Sequence, residues 1–141
     1  ERCIVKINAK DESKKINRWQ KIAEVAAKQS RRDIIPKVNN IINLKDLEKK
    51  ESNYDCILVA YEKEESNTLK NELIKLKEVL KVKKNINIAV VIGPEGGFAE
   101  SEIENLTNIG CKIITLGKRI LRTETVALVM TSIILYELEN N

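Results

Sequence analysis

The sequence predicts an α/β fold with a mainly parallel sheet flanked by helices. Two observations lead to this prediction: short apolar runs alternate with helical patterns, and the runs are continuously apolar. Continuous apolar runs are typical of strands that are buried on both faces of a parallel sheet. The 141 residues correspond to about one domain, so we expect no second core.

The first half of the chain contains two predicted strands and two predicted helices. Residues 3–7 are expected to form a strand, and residues 11–30 an amphipathic helix with Trp19 on its buried stripe. Residues 41–50 resemble a short helix of mixed polarity. Residues 54–60 are predicted to form a strand buried on both faces, because residues 56–60 are continuously apolar.

The second half continues the alternation. Helix, strand, helix, strand and helix are predicted in turn for residues 62–84, 86–92, 100–109, 111–116 and 123–139. Gly110 follows the second of these helices and is expected to end it in a left-handed conformation.

The composition excludes several classes of enzyme. The chain contains no histidine, which removes the Ser-His-Asp triad, the Cys-His pair and most catalytic zinc sites. Cys3, Cys56 and Cys111 are widely spaced and odd in number, so we expect reduced, non-catalytic thiols in a cytoplasmic protein and no metal site. The apolar stretch 126–136 is too short for a membrane span, which needs about 18 residues or more.

Two specific segments follow predicted parallel strands, where ligands of open α/β sheets bind. The first is GPEGGF, residues 93–98, in which three glycines allow the backbone to approach a ligand closely. It lacks the Lys-Ser/Thr ending of a phosphate-binding loop, and its single charge is negative. The alternative interpretation is a strained turn between strand and helix.

The second segment is LGKRILRTET, residues 116–125. It combines Lys118, Arg119 and Arg122 with hydroxyl groups and an acid at the start of an apolar helix. Guanidinium groups at a loop tip are suited to phosphate or to a developing anionic oxygen. The alternative is a simple helix start, in which Thr123 caps the helix and Glu124 interacts with its positive end.

These two motifs, in this order and at this separation, closely resemble the ribosomal RNA small subunit methyltransferase E family of the SPOUT class. The segment RWQKIAEVAAKQSRRDIIPKV, residues 18–38, also resembles the family, so the likeness covers nearly the whole chain. The resemblance implies transfer of a methyl group from S-adenosylmethionine (SAM) to N3 of a uridine in 16S ribosomal RNA of the small ribosomal subunit.

The resemblance also implies a deep trefoil knot at the C-terminus and a homodimer with active sites at its interface. Members of the family carry a small β-rich RNA-binding domain ahead of the catalytic one. Residues 1–141 are therefore expected to form a single catalytic domain, with that N-terminal domain absent from this chain.

Site residues are carried over from the same resemblance. Those expected to contact SAM, largely through their backbone, are Gly93, Glu95, Gly97, Leu116, Gly117, Ile120 and Leu121. Glu95 is expected either to hold a ribose hydroxyl or to brace its own loop.

Arg122 is expected to stabilise the uridine anion, and Glu124 to accept its proton or to brace the arginine. Arg119, Arg18 and Arg31 are expected to contact RNA. A structural ion pair between Arg122 and Glu124 across the dimer interface is the alternative.

Two other functions stay open at this point. One is a SPOUT methyltransferase that acts on transfer RNA or on another ribosomal position. The other is a non-catalytic domain that binds RNA or a nucleotide.

Overall fold

The computed structural model describes residues 9–139, and side-chain burial from residue 11 onwards. The strand predicted for residues 3–7 lies outside the described residues. Of the described residues, 9–46 form one compact unit and 47–139 form a second, larger one.

The smaller unit consists of helix α1, Ala9–Gln29, and the segment that follows it. Arg31 adopts a positive φ of 54°, and the amides of Arg31 and Arg32 donate to the carbonyl oxygens of Lys28 and Ala27. This pattern is a Schellman motif, which usually has glycine at the left-handed position. The carboxamide of Gln20 then holds the returning chain through the Val38 amide, at 2.8 Å.

The apolar stripe predicted for α1 is not buried as expected. Trp19 is 41% exposed and Ile22 57% exposed, whereas Ala27 is fully covered. The prediction of a core role for Trp19 was therefore wrong. Helical periodicity shows which side chains share a face, but it does not show whether another element covers that face.

The larger unit alternates strands and helices as the sequence predicts. The strands are β1, Cys56–Ala60; β2, Ile88–Ile92; and β3, Lys112–Ile114. The helices are α2, Leu69–Leu80; α3, Glu100–Asn108; and α4, Thr123–Glu139.

Two local predictions differ from the structure. The segment predicted as a short helix at residues 41–50 is a 3-10 helix, Leu44–Asn53, with no buried residue. Helix α2 starts at Leu69 rather than near residue 62, because the Thr68 hydroxyl accepts a hydrogen bond from the Asn71 amide and caps it there.

The three described strands form a parallel sheet in the order β2-β1-β3. Leu58 at the centre of β1 is paired with Val90 of β2 and with Lys112 of β3. Helices α2 and α4 both contribute to the core cluster around this strand, whose buried members are Leu58, Leu69, Leu73, Leu76, Ile114, Met130 and Ile134.

This topology brings three chain segments to one edge of the sheet. Since the strands are parallel, their carboxyl ends all meet there. The β3 strand is reached through α3, which ends as predicted at Gly110, where φ is +85° and the Cys111 amide donates to Leu106. No helix within residues 9–139 is both long and apolar enough to cross a bilayer.

Candidate functional site

Three loops follow the carboxyl ends of the strands and form the candidate site. We call them the β1 loop (residues 61–68), the β2 loop (residues 93–99) and the β3 loop (residues 115–122). They contain both motifs that the sequence analysis singled out, GPEGGF in the β2 loop and LGKRILR in the β3 loop.

The β1 loop is shaped by Glu64. One oxygen of its carboxylate accepts hydrogen bonds from the Ser66 hydroxyl, at 2.6 Å, and from the Ser66 and Asn67 amides, both at 2.8 Å. These bonds favour the ionised acid, and they hold the pKa of Glu64 below its usual value. The carboxylate thus fixes the turn that leads into α2.

The β1 loop is also attached to β3 and its loop. The Asn67 side chain donates to the Ile113 carbonyl oxygen at 2.9 Å, and the Thr115 amide donates to the Asn67 carbonyl oxygen at 2.8 Å. The Tyr61 amide donates a hydrogen bond to the Ile114 carbonyl oxygen at 3.0 Å. The end of β3 and the start of its loop are therefore held in place by the β1 loop.

The β2 loop turns tightly at Gly97. Its φ is +68°, and its amide donates to the Pro94 carbonyl oxygen at 2.8 Å. A Cβ atom on Gly97 would lie only 2.5 Å from Oε1 of Glu62 in the β1 loop. The positive φ favours glycine here, and a Cβ atom would also displace the flexible end of the Glu62 side chain.

A second contact of the β1 loop involves charges. Lys63 Nζ forms an ion pair with Glu100 at 3.1 Å, which links the β1 loop to the first turn of α3. At the start of the same helix, the Ala99 amide donates to the Glu102 carboxylate at 2.8 Å, and the Glu102 amide donates to the Ala99 carbonyl oxygen at 3.0 Å. The β2 loop is thus held at its far end.

The β3 loop is open and positively charged. Gly117 has φ +107°, and an added Cβ would meet no atom within 4 Å. The loop's side chains Lys118, Arg119 and Ile120 are exposed, Ile120 to 85%. At its end the Thr123 hydroxyl donates to the Gly93 carbonyl oxygen at 3.3 Å, so the start of α4 contacts the β2 loop.

A cleft of about 610 Å³ opens beside the β3 loop, between α2 and α4. Leu69, Leu73, Ile74 and Ile133 supply apolar walls, and Thr115, Leu116 and Gly117 close one end. Its size and its mixture of apolar walls with a few polar groups are typical of small-molecule sites.

The residues predicted to hold the cofactor occupy different positions around these loops. Leu116 and Gly117 line the cleft, and Gly93 contacts the start of α4. Glu95 is exposed on its turn, Gly97 lies against Glu62, Ile120 extends into solvent and Leu121 is half-buried.

The residues predicted to act on RNA are all exposed. Arg119, Arg122 and Glu124 belong to the β3 loop and the first turn of α4. No ion pair joins Arg122 to Glu124 in the part of the chain that the structure describes. Arg18 and Arg31 belong to the smaller unit, and Arg31 uses its backbone to end α1.

One acid of the candidate site, Glu62, is not among the residues predicted from the sequence. Glu62 comes two residues after the end of the central strand, and its carboxylate approaches Gly97. Its position directly after a buried strand was the available signal, but it was obscured by the charged run of residues 62–65.

The two described cysteines form no disulfide bond. Cys56 is half-buried and Cys111 is buried. Burial raises the pKa of the Cys56 thiol to about 11 and also raises that of Cys111. Within residues 9–139 there is no group of three or more acidic or thiol side chains that could hold a metal ion.

Comparisons with known proteins agree with this arrangement. The chain is 37% identical over 139 residues to ribosomal RNA small subunit methyltransferase E of Bacillus subtilis, covering 98% of this chain and 53% of that protein. It is 40% identical over 119 residues to the protein of the same name from Mesomycoplasma hyopneumoniae, covering 84% and 47%. The chain thus spans about half the length of the curated relatives it matches.

A solved structure extends the likeness to three dimensions. The crystal structure of a ribosomal RNA small subunit methyltransferase E from Neisseria gonorrhoeae bound to SAM matches with a TM-score of 0.79 and 30% identity, over 96% of this chain and 51% of that one. In addition, residues 1–135 match the family described as RNA methyltransferase domain. Since this match takes in both motifs and all three strands of the sheet, the chain belongs to the RNA methyltransferase domain family.

Proposed function

We propose that this chain is the catalytic part of a SAM-dependent enzyme that methylates N3 of a uridine in 16S ribosomal RNA, in the cytoplasm. The main support for the proposal is the hydrogen bond between Thr123 and Gly93. It holds the end of the cationic β3 loop against the glycine-rich β2 loop. This contact places backbone suited to a small ligand beside cations suited to RNA. The relatives named above support the choice of substrate.

The residues present fit SAM. Leu116 gives the cleft an apolar wall for the adenine ring, and the open surface at Gly117 leaves room for close approach of a ligand to the backbone. In the β2 loop, Gly93 and Gly97 have no side chain, so their backbone amides and carbonyl groups are accessible to a ligand. In the β3 loop, the backbone groups of Ile120 and Leu121 are proposed to contact the ligand as well. When bound, SAM supplies an activated methyl group.

The protein's part in the reaction is to position the uridine and to manage its N3 proton. Arg122 is proposed to stabilise negative charge on the ring oxygens, because an exposed guanidinium at the end of the β3 loop has no internal partner to neutralise it among the described residues. Glu124, two residues further on, is proposed to accept the proton. Arg119 is proposed to hold an RNA phosphate.

Glu95 is proposed to hold a ribose hydroxyl of the cofactor. Its side chain is exposed at the turn of the β2 loop rather than buried against backbone amides. The test is the affinity of Glu95→Gln for methylthioadenosine, which contains the ribose. If Glu95 instead only stabilises its own loop, Glu95→Gln should lower the stability of the chain and leave this affinity unchanged.

Exposed cations of the smaller unit are proposed to bind RNA as well. Arg18 and Arg31 are both exposed, and long-range attraction of phosphate requires no fixed geometry. Replacing both by alanine should weaken RNA binding, with a smaller salt dependence, and leave SAM affinity unchanged.

The path of the C-terminal segment supports the proposed trefoil knot. After β3 at one edge of the sheet, the chain passes Gly93 beyond β2 at the other edge, and α4 then packs against β2 and α2. Thr123 contacts Gly93 in a loop that lies earlier in the chain, as a segment threaded through that loop would.

An apolar face of α4 supports the proposed homodimer. Leu128 is 69% exposed and Tyr136 72% exposed, and Ala127 and Thr131 lie beside them. Leu128→Glu should shift the chain towards monomer in sedimentation experiments, whereas Val82→Glu, at an exposed position beyond α2, should not. Unchanged sedimentation of Leu128→Glu would refute this interface.

The decisive experiment is a methyl-transfer assay on unmodified small ribosomal subunits, with mapping of the modified base. Arg122→Ala and Glu124→Gln should each lower turnover while SAM affinity, measured by calorimetry, is retained. Glu104→Gln, an exposed acid on α3, is the control. Near-normal turnover of both variants would refute their catalytic role, and no binding of SAM by the wild-type chain would refute the enzyme and favour a non-catalytic binding domain.

A further inference from the structure

We propose that Glu62 recognises a positively charged group of the cofactor and thereby positions it, an inference that rests on the proposed function. Glu62 lies beyond the carboxyl end of β1, the central strand, between the loops that follow β2 and β3. The centre of this edge is where ligands of open parallel sheets are held.

The first argument is the packing of the carboxylate against Gly97. Oε1 of Glu62 occupies the space that a Cβ atom on residue 97 would need. At this point the β2 loop has a glycine, and the carboxylate of Glu62 from the β1 loop lies beside it. This combination lets a ligand meet the loop backbone and the carboxylate at the same place.

The second argument is the lack of a protein partner for this charge. No hydrogen bond or ion pair joins Glu62 to another residue within the described range 9–139. The adjacent cation, Lys63, is directed to Glu100 instead. The nearby acid Glu64, by contrast, accepts three hydrogen bonds that shape its turn. The structure therefore gives Glu64 a bracing role and leaves Glu62 available to a ligand.

The third argument is the chemistry of the ligand. SAM carries two positive groups, the sulfonium and the ammonium of its methionine part, and either is complementary to a carboxylate. The charged side chains of the β3 loop, Lys118, Arg119 and Arg122, are all cationic and would repel them. The three loops contain four acids, Glu62, Glu64, Glu65 and Glu95, and the carboxylate nearest to the Cβ position of Gly97 is that of Glu62.

The test compares Glu62→Gln with Glu65→Gln, which removes the same charge from an exposed position of the same loop. Calorimetry is performed with SAM, with S-adenosylhomocysteine, which keeps the ammonium but has a neutral sulfur, and with methylthioadenosine, which has neither charge. Glu62→Gln should bind SAM about tenfold more weakly than the wild type. Its affinity for methylthioadenosine, and all affinities of Glu65→Gln, should stay within about twofold, which is the scatter expected for surface changes.

S-adenosylhomocysteine identifies the charge that is recognised. An equal loss for this ligand and SAM assigns Glu62 to the ammonium, and a loss for SAM alone assigns it to the sulfonium. The inference is overturned if Glu62→Gln binds SAM like the wild type, or if methylthioadenosine is weakened as much as SAM, which indicates a purely structural role. Absence of SAM binding by the wild-type chain would instead reject the proposed function itself.

Discussion

The hydroxyl group of Thr123 donates a hydrogen bond of 3.3 Å to the carbonyl oxygen of Gly93. This bond connects the first residue of α4 with the first residue after β2, which are 30 positions apart in the chain. The long apolar helix is thereby held in a fixed position relative to the glycine-rich loop, and the cationic β3 loop must close between them.

Replacing Thr123 by valine should destabilise the larger unit by about 1 kcal/mol, because the Gly93 carbonyl oxygen loses its donor while side-chain shape is retained. The urea midpoint of unfolding measures this loss. Ser101→Ala, at an exposed position of α3, is the control and should change stability by less than about 0.5 kcal/mol. Equal stability of the two variants would show that the hydrogen bond contributes nothing.

Gly97→Ala should lower both stability and cofactor affinity, for different reasons. A positive φ costs a non-glycine residue about 1–2 kcal/mol, so stability should fall by that amount. The added Cβ would also displace the flexible end of Glu62, and affinity for SAM should then fall as it does in Glu62→Gln.

The combined variant separates these two effects. Gly97→Ala with Glu62→Gln should bind SAM no more weakly than the weaker single variant, because both changes remove the same contact. Gly117→Ala, at a positive φ with no neighbour, should lose a similar amount of stability by strain alone. Fully additive losses of affinity would contradict the contact between Glu62 and the ligand.

The sequence predicted the elements whose signals are local. Continuous apolar runs located β1 and β2, and Gly110 ended α3 because a left-handed residue there depends only on the adjacent helix. The role of Trp19 was wrong because burial depends on what packs against α1. The contact between Glu62 and Gly97 was missed because it arises from the pairing of β1 with β2, which no single segment encodes.

A carboxylate at the opposite edge of the sheet gives a pH-dependent prediction. Asp55 precedes β1 and accepts hydrogen bonds from the Lys83 ammonium and from the Asn87 amide, the latter at 2.7 Å. The bond from Lys83, followed by that from Asn87, holds the pKa of Asp55 below its usual value of 3.8. Since the folded pKa is the lower one, ionised Asp55 stabilises the fold above the unfolded pKa, and this contribution is lost as pH falls through the folded value.

Asp55→Asn should therefore lower the urea midpoint at pH 7, and its difference from the wild type should shrink progressively as the pH falls from about 5 towards 2. Glu65→Gln, an exposed acid, should show no such convergence. A difference that stays constant across this range would show that the ionisation of Asp55 does not contribute to folding.

The thiol of Cys56 should react slowly at neutral pH, with a rate that continues to rise in alkali. Burial raises its pKa to about 11, and only the thiolate is nucleophilic. In a Cys3→Ser, Cys111→Ser background, alkylation by iodoacetamide should accelerate about tenfold per pH unit from pH 8 to pH 10, as expected below the pKa of a thiol. The urea-unfolded chain is the control, and its rate should level off near pH 9, since a free cysteine has a pKa of about 8.5. The same plateau in the folded chain would mean that Cys56 is exposed to solvent and not covered beside the core.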